Sequence, residues 1–186
     1  MSGGAPTVVP FDRSYWVAYP HLLAGAYPGT PDQSSTRHRI RALVAAGIRT
    51  VVNLMEPDER DHEDRPFTRY DQMMIEETAR FGTTARCVRI QVRDMGIPTR
   101  DTMRDILDTI DASIESGEPI YVHCWGGRGR TGTVVGCWLA RHGVAVGEAA
   151  LNRVTALRAH TPDADCESPE TEAQREMVRS WAAVIR

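Results

Sequence analysis

The stretch that most limits how this chain can fold is residues 119–132. There Pro119-Ile120-Tyr121-Val122-His123, a short β-branched run, enters a segment with glycine at 126, 127 and 129 and then a helical pattern from about Arg130. A strand that turns through a glycine-rich loop straight into a helix is a unit of an open α/β sheet, and ligands bind outside the carboxyl ends of such strands. Glycine at Gly126, Gly127 and Gly129 lets the backbone fold tightly and aim its N–H groups at one centre. A nest of that kind, backed by a helix N-terminus, attracts a phosphate dianion.

The rest of the chain is consistent with that unit. Residues 1–20 carry no clear period and read as an N-terminal arm, with residues 21–186 as a single domain. His21–Ala24 reads as an edge strand closed by Gly25 and the Pro28-Gly29 turn. A helix capped at Ser34 or Ser35 carries Ile40, Leu43 and Val44 and stops at Gly47. Thr50–Leu54 is a buried strand, and residues 56–65 are a solvated loop in preference to a metal site at His62, Glu63 and Asp64. Helical spacing over 73–81, a strand over 85–92 and a loop over 93–98 follow. Met103, Ile106, Leu107, Ile110 and Ile114 then mark a helix ended by Gly117. Two further helices fit 134–141 and 148–160. Ser168-Pro169-Glu170 opens a last helix, whose Gln174, Met177, Val178, Trp181, Val184 and Ile185 share one face. Strands alternating with helices predict an α/β fold with a mainly parallel central sheet flanked by helices on both faces.

Composition narrows the chemistry. The 186 residues hold 22 cations and 25 acids, a net charge of −3, and every cation is arginine. With no lysine, Schiff-base chemistry and the lysine of a G-x-x-x-x-G-K-[ST] nucleotide loop are excluded. The mild acidity and the lack of a basic block argue against nucleic acid or an anionic membrane as the main partner. Cys87, Cys124, Cys137 and Cys166 form no C-x-x-C pair, so reduced thiols are expected and neither a zinc knuckle nor a disulfide framework. No leader and no run of about 20 apolar residues is visible, so a cytoplasmic protein without membrane insertion is expected.

Within the loop, Arg130 offers a planar fork for two phosphate oxygens. Cys124 sits at the mouth of the anion site, where the field that favours phosphate also favours thiolate over thiol. Such a thiolate can attack phosphorus and form a cysteinyl-phosphate. Thr131 either donates a hydrogen bond to that sulfur or caps the helix. Trp125 either walls an aromatic substrate or packs on the sheet edge. Trp125, Gly126, Gly127, Arg128, Gly129 and Arg130 together make the expected phosphate cradle.

His123-Cys124-x5-Arg130-Thr131 resembles the signature of the cysteine-dependent protein tyrosine and dual-specificity phosphatases, and the likeness runs from roughly Leu22 to Trp181. The compact size is most similar to the dual-specificity branch and its bacterial relatives. The resemblance implies a phosphotyrosine-protein-phosphatase-like fold and hydrolysis of phosphotyrosine, with phosphoserine and phosphothreonine as further substrates, without cofactor or metal. The partner it implies is a phosphorylated protein or small phosphomonoester. It also implies a general acid on an upstream loop. Asp94, 30 residues before Cys124, is the candidate, with Asp101 and Asp105 assigned instead to the first turn of the next helix. By the same resemblance His123 orders the loop, Gln174 positions water or is a buried amide, and Glu56 steadies Arg130. Cys87 and Cys137 are candidates for a protective disulfide, with burial as plain packing the competing reading. The rival readings are a phosphoinositide or inositol-phosphate phosphatase of the same mechanism and a non-catalytic phosphate-binding module. Gly127–Gly132 also matches G-x-G-x-x-G, but Glu148 lies in helical sequence where a dinucleotide site needs its acid at a strand end.

Overall fold

The computed structural model describes residues 8–181. In chain order these form β1 Ser14–Ala18, β2 Leu22–Gly25, α1 Gln33–Ala45, β3 Thr50–Asn53, α2 Asp71–Ala79, β4 Arg86–Arg89, α3 Arg100–Glu115, β5 Ile120–His123, α4 Gly129–Arg141, α5 Glu148–Leu157 and α6 Glu172–Arg179. The sheet runs β1-β2-β5-β3-β4, with only the β1–β2 pair antiparallel. This is the mainly parallel sheet flanked by helices on both faces that the alternating pattern predicts. Every residue of β2, β3 and β5 is buried, as strands covered on both faces must be.

Helices α1 and α2 pack on each other, and α3, α5 and α6 gather around α4. Helix α4 is buried from Gly129 to Ala140 because it lies between the sheet and other helices, so it reads as apolar nearly all round. Its small residues allow that approach: a Cβ at Gly136 would meet both Val178 methyls at 2.7 Å.

The parallel register sets Gly25, Asn53 and His123 side by side, with Arg89 beside Asn53. The loops leaving β2, β3, β4 and β5 therefore emerge at one edge. Leu54 N–H donates to His123 O at 2.9 Å and Val92 N–H to Leu54 O at 2.9 Å, which carries the β4 exit towards the β5 loop. This is why the strand-like run to Val92 leaves the ladder at Arg89.

Four expectations are corrected. Part of the stretch taken as an arm is β1, with Tyr15 opposite Ala24 and both Tyr15 and Trp16 buried; residues 1–7 of that stretch lie outside the described residues. β2 is consequently an interior strand, not an edge. The cap of α1 is Asp32, whose carboxylate accepts from Ser35 N–H at 2.7 Å; Ser34 and Ser35 are in the first turn. The last helix starts at Glu172 under a capping box formed by Thr171 and Gln174, and Ser168-Pro169-Glu170 is a preceding turn tied to the β5–α4 loop by Ser168 Oγ–H donating to Arg128 O at 2.9 Å. Val184 and Ile185 lie outside the described residues.

Gly25 is where β1, β2 and β5 crowd most. A Cβ there would stand 2.8 Å from Ser14 Cα and 2.8 Å from the Tyr121 hydroxyl, and would press on Arg13 O. Backbone is the main obstacle, so Gly25→Ala should lower stability by about 1–3 kcal/mol, the usual cost of overpacking. Urea unfolding checks this; an unchanged midpoint would show that β1 can move away from the sheet.

Candidate active site

The β5–α4 loop is shaped by contacts beneath it. Gly127 has φ +76, and a Cβ there would lie 2.5 Å from Gly25 C and 2.6 Å from Ala26 N, so the loop folds directly onto the β2 exit. Tyr27 N–H donates to Trp125 O at 2.8 Å and fixes the other side. Among the described residues, no turn, loop or cap hydrogen bond uses the N–H groups of residues 125–129. With the N-terminus of α4 at Gly129, those amides form the free anion-binding concavity expected of a nest.

Cys124 is buried at the floor of this loop, 3% exposed, and Thr131 Oγ–H donates to its Sγ at 3.1 Å; Gly25 O, at 3.4 Å, is the other acceptor in reach of that proton. The thiol-bonding reading of Thr131 is thus the geometry seen. His123 lies behind the cysteine, fully buried, with Nδ1 3.0 Å from Cys124 O and Nε2 2.6 Å from the Tyr70 hydroxyl. A carbonyl only accepts, so Nδ1 carries the proton and Nε2 accepts from Tyr70. Burial holds the imidazole down at about 3. His123 is therefore neutral, an orienting group between β5 and α2 and not a base.

Arg130 is buried and held on three sides. Both carboxylate oxygens of Glu59 take its fork, Nη1 donates to Val92 O at 3.1 Å, and Nη2 lies 2.9 Å from Asp94 Oδ1. The carboxylate that steadies Arg130 is thus Glu59, not Glu56. Glu56 lies one turn back, where its N–H donates to Glu59 Oε1 at 2.7 Å, and it borders a neighbouring groove with Tyr27 and Arg89. Asp94 occupies the Arg93–Gly96 turn, next to Met95 in the left-handed region at φ 57, and is half exposed on the cleft wall. Asp101 belongs to α3 and pairs with Arg104, away from the cleft.

The cleft holds about 310 Å³ and brings Cys124, Trp125, Gly126, Arg128, Arg130, Asp94 and Gln174 together. On one side Trp125 stands edge-on to Phe67 and faces His62 at 4.3 Å between ring centres, an aromatic wall beside the phosphate loop. On the other side stand Arg13, Arg128 and Glu170. Gln174 is fully buried; its Oε1 accepts from Glu170 and Thr171 N–H at 3.1 Å each, and its Nε2 donates to Gly96 O at 3.0 Å. In this arrangement it is a backbone-satisfied amide that ties α6 to the Asp94 turn. Burial pushes the Cys87 and Cys137 thiols up, Cys87 to about 12, which disfavours their thiolates.

Sequence reasoning missed Arg13, Glu59, His62 as a ring partner and Glu170. Only Glu59 left a signal, an acid one turn after Glu56 in the same loop. Arg13 and Glu170 reach the cleft through pairing of β1 and the turn before α6, and His62 through the path of the β3–α2 loop, none of which a local pattern encodes.

A nucleophile, a guanidinium fork, free amides and a carboxylate in one cleft suit phosphoryl transfer, and comparison with known proteins agrees. Residues 26–144 match the family described as Tc-R-P, polymorphic toxin system, DSP-PTPase phosphatase. The chain belongs to that family. Beyond the Tc-R-P match, it is 36% identical over 93 residues to the uncharacterized protein MJECL20 of Methanocaldococcus jannaschii, covering 50% of this chain and 56% of that one. It is 34% identical over 138 residues to phosphatidylglycerophosphate phosphatase PTPMT1 of Arabidopsis thaliana, covering 74% and 35%. The chain therefore spans about half, or less, of the length of these relatives. The crystal structure of Tk-PTP in the active form shares the fold, with a TM-score of 0.64 at 21% identity over 91% of this chain and 95% of that one. Among the described residues no helix is long and apolar enough to cross a membrane.

His123 gives a test of this Tc-R-P site by acid. Its folded value, about 3, lies below the ordinary value near 6.5, so the unfolded chain takes the proton first. The stability it contributes is complete above about pH 6.5 and is lost as pH falls towards 3. The fall in urea midpoint over that range should be shallower in His123→Gln than in the parent chain. Parallel curves would show that His123 is not the group being forced to protonate.

Proposed function

We propose that the chain is a cysteine-dependent phosphomonoesterase acting on phosphotyrosyl side chains of proteins, and on phosphoseryl or phosphothreonyl groups where they reach the same floor. The observation that carries this reading is the 3.1 Å hydrogen bond from Thr131 to the Cys124 sulfur at the centre of a ring of free amides, with Arg130 and Asp94 in the same cleft. A site meant only to hold phosphate has no need of a hydroxyl aimed at a sulfur.

In the proposed sequence the phosphoryl oxygens occupy the amide nest and reach Arg130 at Nη2. Asp94 rests on Arg130 Nη2 in the free protein, so the incoming phosphate takes its place. Glu59 stays on the far side of the fork and keeps the guanidinium in plane. The displaced Asp94 takes up a proton from water at the cleft mouth and stands beside the leaving oxygen as the acid. The Cys124 thiolate attacks phosphorus, the phosphorus–oxygen bond breaks, and the Asp94 proton goes to the departing alcohol or phenol. Asp94, now a carboxylate, then takes a proton from water. The resulting hydroxide attacks phosphorus, the phosphorus–sulfur bond breaks, and the Thr131 hydroxyl stabilises the returning thiolate. Inorganic phosphate leaves. The wall of Trp125, Phe67 and His62 supports an aromatic carrier, since a ring laid against it buries apolar surface that a seryl phosphate lacks.

The experiment is phosphate release from a phosphotyrosyl peptide, a phosphoseryl peptide and a phosphoinositide. Release should be fastest from the first and absent in Cys124→Ser, which should still bind vanadate; release by that variant would overturn the covalent route. Preference for the phosphoinositide would support instead the reading suggested by the lipid-phosphatase name of the Arabidopsis relative. Vanadate binding without turnover by the parent chain would leave a binding module.

Asp94→Ala should lower kcat by about 10²–10⁴ with phosphotyrosine and far less with a nitrophenyl leaving group that needs no proton. Equal losses on both would remove Asp94 from the acid role. Glu59→Gln should lower kcat/KM about tenfold or more by leaving the buried guanidinium half-paired, whereas Glu56→Gln should change it less than twofold. Similar losses in the two variants would show that the Glu59 clamp does not matter to the reaction.

A further inference from the structure

One wall of the cleft is a closed chain of charges that the reaction does not use. Arg128 is the loop's second arginine, and its side chain lines the cleft already paired: Nη2 donates to the Glu170 carboxylate, and Nε lies 3.7 Å from Asp163 Oδ2. Asp163 is held in turn by Arg13 and Arg158 at 3.1 Å each. The other Glu170 oxygen stands 2.5 Å from where a Cβ of Gly129 would be, at the first residue of α4 and so at the lip of the anion nest. A carboxylate at that place is electrostatically unfavourable for the anion the nest receives. Nor can it drift far, because Glu170 N–H is bound by Gln174 Oε1 and its carbonyl by Arg175 Nη1, each at 3.1 Å.

We infer that Glu170 is a specificity-determining residue: by caging Arg128 it admits a lone phosphoryl group and turns away carriers with a second phosphate beside the scissile one. The inference rests on the phosphatase reading above and deepens it. Without Glu170, Arg128 would keep only the longer contact of Nε with Asp163 and present a freed Nη2 at the rim, a donor well suited to a neighbouring phosphate. With it, a second phosphate meets a fixed carboxylate and a cation already paired, and juxtaposed like charges are strongly penalised where water is scarce.

The test compares kcat/KM for inositol 1,3,4,5-tetrakisphosphate with that for a phosphotyrosyl peptide of neutral flanks, in the parent chain, Glu170→Gln, Arg128→Gln and the double variant. The parent chain should prefer the peptide. The ratio should shift towards the tetrakisphosphate by about tenfold in Glu170→Gln, and the shift should vanish in the double variant, because it needs the freed Arg128. A ratio unmoved in Glu170→Gln, or a shift that survives loss of Arg128, would overturn the inference. Should Glu170→Gln fail to fold, Arg128→Gln decides: a tenfold fall in the ratio would mean that Arg128 already holds the second phosphate, and a ratio within twofold supports the cage. A parent chain that releases phosphate from neither compound would strike at the phosphatase reading itself, a result distinct from any of these.

Discussion

A guanidinium buried behind the phosphate loop has to be surrounded by acceptors, and most of what meets at the cleft serves Arg130. Its partners come from three places: Glu59 after β3, Val92 after β4, and Asp94 in the turn beyond. Leaving Arg130 or Glu59 unpaired in so buried a place would cost more than their pair contributes, whereas half-exposed Asp94 can leave; each loop is thus bound to the others through one side chain. The parallel register makes this possible, because it delivers the ends of β2, β3 and β5 at one level, with the arginine in the first turn of α4 beside them. The same fork is the part most directly suited to phosphate, so packing and binding here draw on the same donors.

How much of this was readable in the chain depended on the range of the interaction. The loop, the parallel strands and α3 were legible because each is written locally: β-branched runs, glycines with a turn to make, and apolar residues at helical spacing. The grouping of Cys124, Thr131 and Arg130 followed from the same strand–loop–helix unit, whereas Asp94, on a separate loop, came only from the resemblance to the phosphatase signature. What stayed hidden was set by partners distant in sequence. Ser14–Ala18 carries mixed residues that show no period, and becomes a strand because β2 offers it an edge. Glu56 and Glu59 are equivalent as text, and only the path of the loop turns Glu59 inward. At α6 two capping signals competed. The Thr171–Gln174 box won because Ser168 was already committed to the Arg128 carbonyl.

Gln174 shows how a sequence signal can be right about place and misleading about purpose. Its position on the inward face of α6 was correct, and it borders the cleft. Yet the hydrogen bonds of its side-chain amide go to backbone, two to the turn before α6 and one to Gly96. It therefore links the last helix to the loop that carries Asp94, so that movement of that loop on substrate binding must stretch or break the Gly96 contact.

The charges around the cleft also say where anion affinity comes from. Arg13, Arg128, Arg130 and Arg158 are each matched by a carboxylate among Glu59, Asp94, Asp163 and Glu170, so the wall presents little net positive charge. A phosphate entering such a site gains from oriented amides and the α4 terminus, whose partial charges are fixed in direction and need no rearrangement. Long-range attraction from a cationic surface is correspondingly small, which fits a chain with a net charge of −3. On the function proposed above, recognition then depends on a close fit to one phosphoryl group. The segments completing that fit, at Arg13 and from Asp163 to Gln174, lie outside residues 26–144. Cys124 and its loop belong to the shared core, while the charged wall beside them is supplied by the two flanks.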